Sequence, residues 1–174
     1  SVGVTRALLV RLDDEAQLAA VLGHEIGHVN ARHSAQQQAK AMLAQVALTA
    51  LDAATSRSEW GQFLVQGGAL GASALLASYS REQEREADYL GQRYLVLAGY
   101  PASAMVRLHQ VLLEEEKNQP GLLETMFSTH PRTQERIQRA QWLAETEFAD
   151  GERFPVQRER FMDSTASLRR IRPA

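Results

Sequence analysis

Hydrophobic and polar positions recur at helical spacing over most of the chain. From Asp14 to about His33, the apolar residues Leu18, Val21, Leu22, Ile26 and Val29 return every three or four positions. That spacing predicts an amphipathic helix with this stripe turned inward. Asp13 and Asp14 precede it and Gln17 stands three residues after Asp14, a box-like N-terminal cap. A second helix is predicted from about Ser34 to Leu51, where Met42, Val46, Leu48 and Leu51 follow the polar run Gln36 to Lys40. Asp52 to Glu59 reads as a polar break. Phe63 to Leu76 is an Ala/Gly/Leu helix with little amphipathicity, a pattern that predicts burial or a cover over a cleft. Helix resumes near Ser80 and stops at Gly99-Tyr100-Pro101, with Gly just past the end and Pro after it. Ala102 to Lys117 forms another, with Met105, Leu108, Val111 and Leu112 inward and Glu114 to Glu116 outward. Asn118 to Gly121 is a turn, and a last clear helix runs from Arg132 to about Glu145.

Ser1 to Val4 alternates like the end of a strand, and Thr5 to Leu12 is apolar enough to pack on a core. After Asp150-Gly151 the chain is charged and poorly patterned. The expected fold is mainly α, with a minimal N-terminal strand. One domain is expected over residues 1–150, and a tail or the start of an appendage over 151–174.

Composition narrows the function. The 174 residues are 44% hydrophobic and 23% charged, ordinary for one soluble globular domain. A net charge of −2, with no basic block before the last few residues, argues against a nucleic-acid partner. There is no cysteine. Thiolate metal sites, disulfides and cysteine nucleophiles are excluded, so any metal must use His and carboxylates. Lack of cysteine also suits an oxidising compartment. Trp60 to Ser80 has no charged residue and is the one stretch to weigh as a membrane span. Its Gln62, Gln66 and many small residues argue against that. The chain begins at Ser1, with no targeting segment to read.

The polar positions of the first long helix carry the chemistry: His24-Glu25-Ile26-Gly27-His28, an H-E-x-x-H pattern. Histidines four apart share one helical face, so both rings can reach one metal ion. The intervening glutamate falls beside the metal, where a base for water must sit. On a buried helix these polar groups are costly without a partner, and a metal is such a partner. Gly23 and Gly27 weaken the helix by roughly 1 kcal/mol each relative to Ala. Their expected use is close approach by another element or by substrate.

Two histidines need a third protein ligand, with a fourth position left open. His33 is five residues beyond His28 and should face away, as a solvent or helix-terminal residue. His109, on a distant amphipathic helix, is expected at the surface or the core edge. Glu84 and Asp88 are better placed, being four apart on one face. Glu84 suits a ligand. Asp88 suits an acceptor for the far ring nitrogen of a ligating histidine, which fixes its tautomer. Glu86 points elsewhere. The plainer alternative for this stretch is a solvated, salt-bridged helix face.

His24-Glu25-Ile26-Gly27-His28, then Ser80-Arg81-Glu82-Gln83-Glu84-Arg85-Glu86-Ala87-Asp88, then Thr129-His130-Pro131 with Arg136-Ile137 form three motifs in one order. With Val4 to Leu9 and Asp14 to Leu22, they resemble the zinc metallopeptidase family of HtpX and the CAAX prenyl proteases, most of all its soluble BepA and mitochondrial Oma branch. The likeness covers about residues 2 to 140. It implies a zincin, gluzincin-type helical domain holding Zn2+ through His24, His28 and Glu84, with Asp88 behind them. It implies an endopeptidase acting on protein or unfolded polypeptide substrates, including membrane-associated envelope proteins, in bacterial periplasmic quality control. In relatives a segment before Val2 adds helix and an edge strand on which extended peptides lie. The transmembrane hairpin of the integral-membrane relatives is not visible here.

In that reading Glu25 takes a proton from the attacking water and passes it to the leaving amine. His130 is the first candidate for an oxyanion donor, with Arg132 and Arg136 behind it. Two other readings stay open for His130: a loop residue packing ahead of Pro131, or a plug in zinc's open position that keeps the enzyme latent. Arg136 also reads as a structural salt-bridge residue. The alternative function is a zinc-stabilised, chaperone-like binding module, for which Glu25 would have no use. A weaker one is a helical interaction domain without metal.

Overall fold

A computed structural model describes residues 3–55, 67–68, 80–118, 130 and 133–170. The described elements are α1 (Arg6–Leu9), α2 (Glu15–Asn30), α3 (His33–Thr55), α4 (Arg81–Leu97), α5 (Ala104–Asn118), α6 (Gln134–Glu145), a 3-10 turn (Ala149–Arg153) and α7 (Arg158–Arg170). Among the described residues there is no strand; Gly3 and Val4 are irregular. Of the apolar helix expected over 63–76 only Gly67 and Gly68 are described, and both are helical; most of the stretch Trp60 to Ser80 lies outside the described residues. Among those that are described, no helix is long and apolar enough to cross a membrane.

Local signals set the helix ends. Asp14 Oδ1 accepts from the Gln17 backbone N–H at 2.9 Å. Gln17 reaches back, but to the backbone N–H of Asp13 (2.6 Å), one residue before the cap. Ser80 and Gln83 cap α4 reciprocally, at 3.3 and 3.1 Å. At its other end Gly99 takes a φ of +81° and the Tyr100 N–H bonds to Leu95 O at 2.9 Å. This is the left-handed stop that glycine permits.

The inward face of α2 is rotated from the one its apolar spacing predicts. Ala16, Gln17, Ala20, Val21, Gly23, His24, Gly27 and His28 are buried, whereas Ile26 and Val29 are exposed. The cause is the helix opposite. A Cβ built on Gly27 would lie 2.9 Å from Ala87 O and one on Gly23 3.1 Å from Gly91 O. So α2 and α4 run antiparallel with their backbones in contact, and small residues rather than large apolar ones line the seam. Gly27→Ala should therefore lower stability by about 1–2 kcal/mol, overpacking outweighing the gain in helix propensity. Urea unfolding would read this. Metal affinity should fall with it, because the forced separation moves Glu84 away from His28.

The core gathers Leu8, Leu12, Val21, Leu95, Met105, Leu108, Leu112, Ile137 and Phe161. Phe161 belongs to α7, so the charged region after residue 150 contributes a helix to this core. Arg169 of α7 donates to the carbonyls of Val10 and Leu12, both at 2.7 Å, and so satisfies acceptors that the short α1 leaves open.

Candidate metal centre

The paired helices bring three sequence-predicted residues to one point. His28 Nε2 lies 3.1 Å from His24 Nε2 and 3.1 Å from Glu84 Oε1. His24 Nε2 is 3.7 Å from Glu84 Oε2. His130 enters from the far side, its Nδ1 3.0 Å from Glu84 Oε1 and 3.2 Å from His24 Nε2. One donor atom from each of these four residues lies within 4.8 Å of every other. Tetrahedral zinc with bonds near 2.0–2.1 Å sets its ligand atoms roughly 3.3 Å apart. The set has the chemistry and the spacing to hold such a cation, and three of its members are buried.

Behind the cluster stands an ion pair. Arg136 donates from Nε to Asp88 Oδ2 and from Nη2 to Asp88 Oδ1, both at 2.7 Å, and from Nη1 to Glu84 Oε2 at 2.5 Å. Asp88 Oδ1 also accepts from His24 Nδ1 at 2.9 Å. That bond puts the proton of a neutral His24 on Nδ1 and leaves Nε2 bare toward the cluster. Burial works to raise the Asp88 carboxyl, but the neighbouring His109 and the Arg136 guanidinium outweigh it and hold it well below the usual range. Glu84 is likewise opposed by burial and held low by His130, His28 and Arg136. Burial pushes His24 down, toward the neutral imidazole a metal requires.

Two histidines differ from expectation. His33 does not face away. It is fully buried, with Nδ1 2.9 Å from His28 Nδ1 and Nε2 3.2 Å from Glu86 Oε2. The helix does not continue to it: α2 stops at Asn30, and Arg32 takes a φ of +55°, which swings His33 back beneath His28. His109 is buried as well. Its Nε2 is 3.2 Å from Asp88 Oδ1 but off the line of a hydrogen bond. The signal for His109 was present, since it sits four residues after Met105 on the inward face. Arg132 lies outside the described residues.

Glu25 is not in the cluster but beside it, 3.6 Å from His130 Nε2 and partly exposed. It borders a recess lined by Val21, His24, Leu108, Leu112, His130 and Arg136. The site thus has a carboxylate next to a cation position, at the mouth of a partly apolar opening.

Residues 1–144 match the family described as peptidase family M48. The chain belongs to peptidase family M48. Its members are metal-dependent peptidases with a helical metalloprotease fold. The chain is 32% identical over 136 residues to the beta-barrel assembly-enhancing protease of Escherichia coli, covering 75% of this chain and 28% of that protein. It is 32% identical over 149 residues to the mitochondrial metalloendopeptidase OMA1 of Schizosaccharomyces pombe, covering 83% of this chain and 41% of the relative. To metalloprotease YcaL of Escherichia coli it is 32% identical over 130 residues, 75% of this chain and 50% of the other. The chain therefore spans half or less of the length of these M48 relatives.

Proposed function

We propose that the protein is a zinc-dependent endopeptidase that cuts protein substrates, using His24, His28 and Glu84 as metal ligands and Glu25 as base. The observation that carries this is the convergence of two Nε2 atoms and a carboxylate, with a second carboxylate beside them at an open recess. When bound, zinc supplies Lewis-acid chemistry, making water acidic and a peptide carbonyl electrophilic. The protein's residues do the rest. Glu25 accepts the proton of the attacking water and returns it to the departing amine. Asp88 keeps His24 in the tautomer that presents Nε2. Arg136 balances the two buried carboxylates and holds them in register with the histidines.

His130 in this reading is a gate. Its Nδ1 lies 3.0 Å from Glu84 Oε1 and 3.2 Å from His24 Nε2, so with a metal held by His24, His28 and Glu84 it would take the position that water or substrate needs. His130→Ala should raise hydrolysis of an unfolded protein such as casein. A loss of activity would instead give His130 the role of oxyanion donor.

The E. coli relative's name ties it to β-barrel assembly. On that likeness we place the chain in the bacterial periplasm, acting on unfolded or membrane-associated envelope proteins in quality control. Residues 151–174 are proposed as the tail of the peptidase domain over 1–150. One feature favours the second reading, a client-holding module: Met42, Leu43 and Val46 of α3 are about 70% exposed, at 72%, 72% and 67%. The deciding experiment is metal stoichiometry measured together with casein hydrolysis, wild type against Glu25→Gln.

A further inference from the structure

The two histidines that α2 gives the cluster are oriented by different means. His24 bonds directly to the buried Asp88. At His28 Nδ1 stands another imidazole, His33, whose Nδ1 is 2.9 Å away. Two ring nitrogens this close form a hydrogen bond only if one carries a proton and the other does not. A nitrogen that ligates a metal offers its lone pair. With His28 Nε2 turned into the cluster, the proton of neutral His28 must sit on Nδ1 and point at His33. Neutral His33 then carries its own proton on Nε2. That atom lies 3.2 Å from Glu86 Oε2, and an ionised carboxylate only accepts. Each step fixes the next, from an exposed carboxylate to a buried lone pair. The Glu86 side chain is 57% exposed and that of His33 fully buried.

We propose that His33 is a positioning residue for His28, and that His33 and Glu86 together set the tautomer and ring orientation with which His28 meets the metal. This rests on the metal reading above. His33 touches neither substrate nor the reacting atoms. Its effect is on the basicity and direction of His28 Nε2, and it is read in metal affinity. Outer partners of ligating histidines typically carry a 10–100-fold share of that affinity. The relay also accounts for Glu86, which is two residues from Glu84 and faces the α2–α3 turn instead of the cluster.

The test is the Zn2+ dissociation constant of the full chain, measured against a chelating dye, with imidazole 15N spectra of the zinc-loaded protein. His33→Phe fills the space without hydrogen bonds and should weaken zinc roughly 10–100-fold. His33→Gln can accept from His28 and donate to Glu86, and should recover most of that loss. In the wild type the imidazole proton of His28 should be on Nδ1. Unchanged affinity in His33→Phe, equal affinity in the Phe and Gln variants, or a His28 proton on Nε2 would each overturn the proposal. If His33→Phe does not fold, Glu86→Leu at the exposed end serves instead. It should weaken zinc to a smaller degree and lose the exchange-protected Nε2 proton of His33; no change in either would overturn the relay. A wild-type chain that binds no zinc at all would count against the metal reading itself, and is distinguishable from these outcomes.

Discussion

Glu25→Gln should abolish casein hydrolysis while leaving the metal in place. The amide keeps the size and polarity of the side chain but cannot take a proton, so only the acid–base role is lost. General-base contributions run about 10²–10⁴-fold, and a loss of at least a hundredfold is expected here. Zinc content should stay at the wild-type value, because Glu25 is not one of the four donors, His24, His28, Glu84 and His130. Paired measurement of activity and metal is what gives the result its meaning. Activity within a few-fold of wild type would remove Glu25 from catalysis. Loss of both activity and metal would recast it as part of the binding site.

The largest effect on stability is expected at Arg136. Its side chain is 6% exposed, and its guanidinium serves two buried carboxylates in three hydrogen bonds. Replacing it with Met leaves those charges unpaired, and breaking a buried pair from one side costs about 3–5 kcal/mol. Urea unfolding should show the loss, and it should be greater in metal-free protein, where only imidazoles remain beside Glu84. Arg136→Lys should recover only part, since an ammonium cannot copy the fork on Asp88. Adding Asp88→Asn to Arg136→Met should regain stability, because it removes one stranded charge. If Arg136→Met costs less than about 1 kcal/mol, the pair behaves as a surface salt bridge and the account of this site is wrong.

Much of the arrangement can be read in the chain because it depends on short-range spacing. The four-residue separations of His24 from His28 and of Glu84 from Asp88 put each pair on one face, whatever the tertiary fold. The caps at Asp14 and Ser80 and the stop at Gly99 are similarly local. What could not be read depends on helices meeting or on a single dihedral angle. Gly23 and Gly27 announced a close approach, yet only the partner helix shows that Ile26 and Val29 thereby turn outward. Helical spacing points His33 away from the cluster, and the left-handed φ of +55° at Arg32 turns it back, a change that no spacing reports. The union of Arg136 with Asp88 and Glu84 bridges about fifty positions of sequence (48 and 52), and no periodicity reports on contacts that distant. The contribution of Phe161 to the core is hidden for a different reason: among the arginines and acids around it, one aromatic is too sparse to make a pattern.

Because α2 and α4 touch through main-chain atoms, His28 and Glu84 belong to a matched set. A helix imported alone, with a methyl or larger group where this chain has Gly23 or Gly27, would meet a surface with no room for it, and its ligands would arrive out of step. Chimeras among M48 chains should exchange the two segments as a single cassette, leaving the recess residues Leu108 and Leu112, on neither segment, as the ground on which substrate preference is varied.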